Sequence, residues 1–271
     1  MAGWGEKMNN LSDGFYTEAK RALLGPTLHK LKESVDRAGL KGGSEYILAA
    51  MNLRPEYSSY QPEARQKLQT EPGIVIANHP PGFFDIPAVL QTIDRTDLKV
   101  MVNEKIYPEF VEQLGEQYFV PASHGAGGLR EVLKNIRTHI EQGGVLMFFP
   151  TGAQSSVKDR IFKSGFRSIL GQLRPQDMVY SFCLDPHDVA SVLEQRPYLR
   201  LNLASEVFFT EALNMNRQQE PVPFRVYEKY SQAEEWQALT KQRANGEINN
   251  RLTEYYEGQF GAEVFDERLI Y

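Results

Sequence analysis

The chain has 271 residues, 41% of them hydrophobic, with a formal net charge of −5 and a single cysteine, Cys183. The apolar content suits a packed core, the mild acidity excludes a general nucleic-acid binder, and one cysteine excludes an intramolecular disulfide or a cysteine-rich zinc centre. No apolar run approaches the ~18 residues that span a bilayer, and Met1-Ala2-Gly3-Trp4-Gly5-Glu6 lacks the basic region and apolar core of a signal peptide. A cytoplasmic protein is expected, with peripheral membrane contact left open.

Residues 1–70 are expected to form an N-terminal helical cap. Phe15, Ala19, Ala22 and Leu23 fall near helical spacing, as do Leu28, Leu31, Val35 and Leu40, with Gly25-Pro26 and Gly42-Gly43 as punctuation. A further helix runs through Tyr46, Ile47, Ala50 and Met51, and Pro55 to Thr70 reads as a polar connecting segment. The cap either packs on the core or offers an amphipathic face to lipid or a carrier protein; periodicity fits both.

From Gly73 the rhythm is strand–helix–strand. Strands are expected at Ile74–Ala77, Lys99–Asn103, Tyr118–Val120, Val145–Phe149 and Met178–Leu184. Helical faces are read at Ile86, Val89, Leu90 and Ile93, at Tyr107–Leu114, at Leu129, Val132, Leu133, Ile136 and Ile140, and at Phe162–Leu173. Further strands are expected at Leu199–Leu203 and Phe224–Tyr227, then terminal helices over Ala233–Phe260, with Ile248, Leu252 and Tyr255 on one face. The alternation predicts an α/β domain over residues 71–271, a mostly parallel or mixed central sheet flanked by helices.

Ligands of such sheets bind beyond the carboxyl ends of the strands. The run Ile74-Val75-Ile76-Ala77 ends there on Asn78-His79; Pro80, Pro81 and Gly82 force a turn, and Asp85 opens the next helix. Imidazole moves protons near neutral pH, and a carboxylate can fix its tautomer. His79 and Asp85 are therefore a candidate base and its partner. The bland alternative is a loop histidine beside a helix-start aspartate. No third ligand at a recognisable spacing supports a metal site. A second strand end carries Phe149, Pro150, Thr151 and Gly152, and Lys163 in Phe162-Lys163-Ser164-Gly165 could hold an anionic group. Gly125-Ala126-Gly127-Gly128 reads as a flexible loop, and His124 as a surface histidine. Lys158, Arg160, Lys163, Arg167 and Arg174 form a basic stretch, either a solvated face or a contact for coenzyme A phosphates or an acidic carrier. Cys183 reads as buried filler.

In order and spacing these stretches resemble the glycerolipid acyltransferases, the PlsC-type family of glycerol-3-phosphate and lysophosphatidic acid acyltransferases. The resemblance covers roughly Gly73 to Pro186. Its blocks are Asn78, His79 and Asp85; Val100–Lys105; Tyr118–Pro121; Phe148–Ser155, similar to the family's Phe-Pro-Glu-Gly-Thr-Arg-Ser; Phe162–Gly165, similar to Phe-Lys-x-Gly; and the strand Met178–Leu184. It implies an enzyme that moves an acyl group from a coenzyme A or acyl-carrier-protein thioester to a hydroxyl or amine, with His79 as general base and Asp85 orienting it. Asn78, Phe149, Pro150, Thr151, Gly152 and Lys163 would bind substrate. The acyl donor is a co-substrate, the acceptor a lipid or small molecule; no permanently bound cofactor, metal or nucleic acid is implied.

The departures refine this. Five residues separate His79 from Asp85 where the family usually has four. Thr151 and Gln154 stand at the family's Glu and Arg, and Pro121-Ala122-Ser123-His124 where an arginine often follows the third strand. With those cations missing, an acceptor other than a glycerol phosphate is expected. Alternatives are a non-catalytic acyl-chain or carrier binder, favoured by the lost groups, and a thioesterase using the same site. The absence of a Gly-x-Ser-x-Gly elbow speaks against a serine hydrolase.

Overall fold

Gly73–Ala77, the strand β2, is buried along its whole length and lies inside a seven-stranded sheet. The computed structural model describes residues 29–59, 63–79, 84–104, 107–122, 126–151, 162–195, 220–241 and 245–261. The other strands are β1 (Leu53–Ser59), β3 (Leu98–Asn103), β4 (Phe119–Ala122), β5 (Val145–Phe148), β6 (Met178–Leu184) and β7 (Val222–Gln232). Their order is β1-β7-β6-β2-β5-β3-β4. β7 runs antiparallel to β6 and parallel to β1, and every other neighbouring pair is parallel, so the sheet is mixed.

Helices cover both faces, which is why β2, β5 and β6 are apolar without alternation. On one face Val75, Ala77, Met147 and Phe182 form a core with α3 (Asp85–Leu90) and α7 (Pro186–Gln195). On the other Ile74, Ile76, Leu146 and Phe148 pack with α5 (Ala126–Glu141), α6 (Ser164–Leu170), α8 (Ala233–Thr240) and α9 (Asn245–Gly258). The chain leaves β2 towards α3 on the first face and leaves β5 towards α6 on the second. β2 and β5 are neighbours, so their carboxyl ends border a split in the topology, the usual place for a ligand in an open α/β sheet.

Several expectations are corrected. Residues 55–70 are not a plain connection: they complete β1 and carry the helix α2 (Ala64–Thr70). Residues 29–50, termed α1, are helical with Leu31 and Val35 buried, but the break comes at Gly39 rather than Gly42-Gly43. Gly39 has φ +62°, a left-handed conformation that costs glycine little. Tyr118 belongs to a short 3-10 turn, and Pro121 sits inside β4, where an edge strand tolerates a missing N–H. Gly127 and Gly128 lie within α5, not in a loop. Leu129 is exposed, whereas Val132, Ile136 and Ile140 are core as expected. The helix α4 (Tyr107–Leu114) and the strand β6 match their expected bounds. The strand expected at 199–203 lies outside the described residues. No helix among the described residues is long and apolar enough to cross a membrane.

Candidate active site

His79 follows the last residues of β2, and Asp85 is the first residue of α3. Pro87, third in that helix, falls where no intrahelical N–H is needed, so the helix tolerates it. The Asp85 side chain, 1% exposed, lies against that of His79, 17% exposed. The His79 Nδ1–H donates to Asp85 Oδ2 in a short hydrogen bond. Asp85 Oδ1 accepts the Ile86 N–H at 2.8 Å. Both carboxylate oxygens are thus occupied, one by the helix start and one by the imidazole. The longer spacing between His79 and Asp85 does not prevent the pair from meeting.

Phe149, just past β5, stacks on the imidazole with ring centroids 4.1 Å apart and planes inclined by 19°. The ring is therefore fixed at one edge by Asp85 and on one face by Phe149. With Nδ1 engaged by Asp85, Nε2 is the other ring nitrogen.

Asn78 turns the other way, towards β6. Its Nδ2–H donates to the Leu184 carbonyl and its Oδ1 accepts the Leu184 N–H, both at 2.9 Å. Its own N–H donates to the Tyr256 hydroxyl at 2.9 Å. Asn78 therefore ties two strand ends together and acts on the backbone that carries His79. The next residue of β6's end is also fixed: Asp185 is buried and receives Arg225 at 2.8 Å, the Tyr227 hydroxyl at 3.1 Å and the His187 N–H at 2.9 Å. Asp188 binds the same guanidinium, and these carboxylates raise the Arg225 pKa above its ordinary value.

Pro150 and Thr151 are buried at the carboxyl edge of β5. The Pro150 carbonyl accepts the Lys163 N–H at 2.9 Å, which places Lys163 at the same edge of the sheet, exposed and immediately before α6. Gly152, Gln154, His124, Lys158 and Arg160 lie outside the described residues. Of the remaining basic stretch, Arg174 is bound by Asp177 at 2.7 Å, and Arg167 lines a crevice of about 450 Å³ between α5 and α6. Cys183 is fully buried in β6, where its thiol donates to the Leu184 carbonyl at 3.5 Å. Among the described residues no cluster of His, Cys, Asp and Glu could hold a metal ion.

Two contributors were missed by sequence reasoning. The stacking role of Phe149 depends on β5 lying beside β2, which spacing along the chain does not reveal. Tyr256 lies on α9, far along the chain, and its signal was a run of every fourth residue, Ile248, Leu252, Tyr256 and Phe260, all buried. Tyr255, expected on that face, is only partly buried.

No protein-family model matches the chain, and no curated protein matches it significantly. Among solved structures it is similar to the 1-acyl-sn-glycerophosphate (LPA) acyltransferase PlsC from Thermotoga maritima, with a TM-score of 0.46 and 14% identity over 98% of each chain. Likeness at that level is too slight to carry residue roles from one protein to the other, so what the site can do is read from its own atoms.

Proposed function

We propose that the chain is an acyltransferase. Its acyl donor is a thioester of coenzyme A or of an acyl carrier protein, and its acceptor a hydroxyl or amine on a lipid or small molecule. The observation that carries this reading is the His79–Asp85 pair at the carboxyl end of a central strand, with the ring held edge-on by Asp85 and face-on by Phe149. Nε2 removes the acceptor proton as the acceptor oxygen or nitrogen attacks the thioester carbonyl. The C–S bond then breaks, and the imidazolium returns the proton to the departing thiolate. Asp85 stabilises the imidazolium between those steps. Proton transfer of this kind contributes about 10²–10⁴-fold; positioning of the two substrates supplies the larger share. Phe149, Pro150 and Thr151 border the acceptor side, with Gly152 and Lys163 beside them in sequence or at the same sheet edge. With Thr151 and Gln154 in place of an acid and a cation, an acceptor less charged than a glycerol phosphate suits the site.

The test incubates the purified chain with acyl-coenzyme A and with acylated carrier protein, with and without a panel of alcohols and amines. Free thiol and acylated product are followed, for the parent and for His79→Ala. Acylated product formed by the parent and lost in the variant is expected. Thiol release with free fatty acid and no acylated product would make the chain a thioesterase. Donor binding without thiol release would make it a binding protein.

A further inference from the structure

Pairing between β2 and β6 runs up to Ala77 opposite Phe182 and then stops, one residue before the candidate base pair begins to leave the sheet. At that point the ladder is continued by side chains. The Tyr256 hydroxyl accepts the Asn78 N–H at 2.9 Å and donates to the Phe182 carbonyl in a short hydrogen bond. A phenol oxygen thus stands between a β2 donor and a β6 acceptor. The Asn78 amide then spans the wider gap to both backbone groups of Leu184. Tyr256 itself has little freedom: it is 2% exposed, with Phe162 at 5.4 Å and Phe260 at 5.3 Å between ring centroids.

From this geometry we infer that Tyr256 is a positioning residue for His79. By holding β2 and β6 one phenol oxygen apart, it sets where the backbone leaves the sheet, and so where the imidazole stands relative to Asp85 and to a substrate at Nε2. The inference rests on the reading of His79 as the base. It extends the site to α9, on the sheet face opposite the Asp85 helix. Burial raises the phenol pKa well above its ordinary value, so the hydroxyl stays protonated and keeps its donor role.

The experiment compares the full-length parent with Tyr256→Phe, which keeps the ring and removes only the bridging oxygen. Two quantities are read: the His79 imidazole resonances by NMR, and kcat and KM for thioester turnover. The expected result is a displaced His79 Nδ1–H resonance and a kcat lowered about ten- to a hundredfold with KM unchanged, the size of effect that a small misplacement of a reacting group produces. Ile248→Ala is the control: it loosens the same helix near its start, away from Tyr256 and Asn78, so it should lower the unfolding midpoint and leave His79 and kcat alone. Replacement of Tyr256 by para-aminophenylalanine restores a bridging N–H and should recover the resonance and most of kcat.

A parent-like His79 resonance and kcat in Tyr256→Phe, whatever its stability, would overturn the inference. So would Ile248→Ala reproducing the same changes, or no recovery with the amino analogue, which also decides the matter should the phenylalanine variant not fold. If the parent turned over no thioester at all, the functional reading would fail, while the resonances would still report whether Tyr256 places the ring.

Discussion

Asp85→Asn separates the orienting role of the carboxylate from its packing. Asp85 accepts two donors: the Ile86 N–H at 2.8 Å through Oδ1, and His79 Nδ1–H through Oδ2. A carboxamide has one oxygen. The Ile86 N–H is held by the helix start and needs an acceptor, so the amide oxygen should turn to it and point its NH₂ at the imidazole. Two donors cannot face each other across a short hydrogen bond. Nδ1 must then give up its proton, and the neutral ring keeps it on Nε2, the atom proposed as base. The loss of base catalysis is about 10²–10⁴-fold, equivalent to about 2.7–5.4 kcal/mol at about 1.36 kcal/mol per decade. Stability should hold or rise, because the carboxylate is 1% exposed and its desolvation costs several kcal/mol. Imidazole ¹⁵N shifts report the tautomer without any substrate, and thiol release reports the rate. An Asp85→Asn protein that kept the proton on Nδ1 and turned over at the parent rate would refute the reasoning.

Asn78→Ala removes both partners of the Leu184 backbone and should lower the unfolding free energy by about 1–3 kcal/mol in a denaturant titration; Asn78→Asp, which sets an oxygen against the Leu184 carbonyl, should not rescue it. Arg95→Ala withdraws a largely buried guanidinium from the carbonyls of Leu68, Glu71 and Gly143 and should cost more than about 2 kcal/mol. The Arg95 hydrogen bond also holds the Asp97 carboxyl below its ordinary pKa. A lowered folded pKa gives stability that is complete above the unfolded value and lost as pH falls through the folded one, so Arg95→Ala should flatten the acid limb of a stability–pH curve. Gly144→Ala places a Cβ 2.3 Å from His139 Cε1, which must move away from the Val145 carbonyl, 3.1 Å from its Nε2; a loss of about 1–3 kcal/mol is expected on thermal unfolding. Burial keeps the His139 pKa below 6.5, so the parent loses stability as pH drops beneath that value, and His139→Gln should abolish that loss.

The parts of this protein that were legible in the sequence are those whose physics is local. β2 is apolar because both of its faces are covered, and its end is marked by prolines and a glycine that no strand would carry. His79 and Asp85 lie on either side of that turn, so their meeting needs one short loop and nothing distant. β1 was hidden because it is an edge strand: Arg54, Glu56 and Ser58 are exposed, Pro55 is a residue that strands seldom carry, and the inward positions Leu53 and Tyr57 are too few to announce a strand.

β7 shows how a buried charge conceals a strand. Its inward positions run Val222, Phe224, Val226 and then Glu228, which is buried, so an apolar pattern stops at Tyr227 although the strand continues to Gln232. Glu228 is tolerated there because Arg65, on α2, bonds its carboxylate, and Arg65 in turn lies over the Tyr57 ring at 5.2 Å. Tyr57 hydrogen-bonds the Ala88 carbonyl at 2.7 Å, on the helix that Asp85 begins. The two stretches that looked least like sheet, residues 53–70 and 228–232, thus supply a polar network that reaches the far turn of the Asp85 helix. A charge whose partner lies on another element reads as solvent-facing in the sequence, and only the fold reveals what it holds. Tyr256 is the same case: a polar tip on an apolar stripe, whose hydroxyl is spent on the strand end that carries His79.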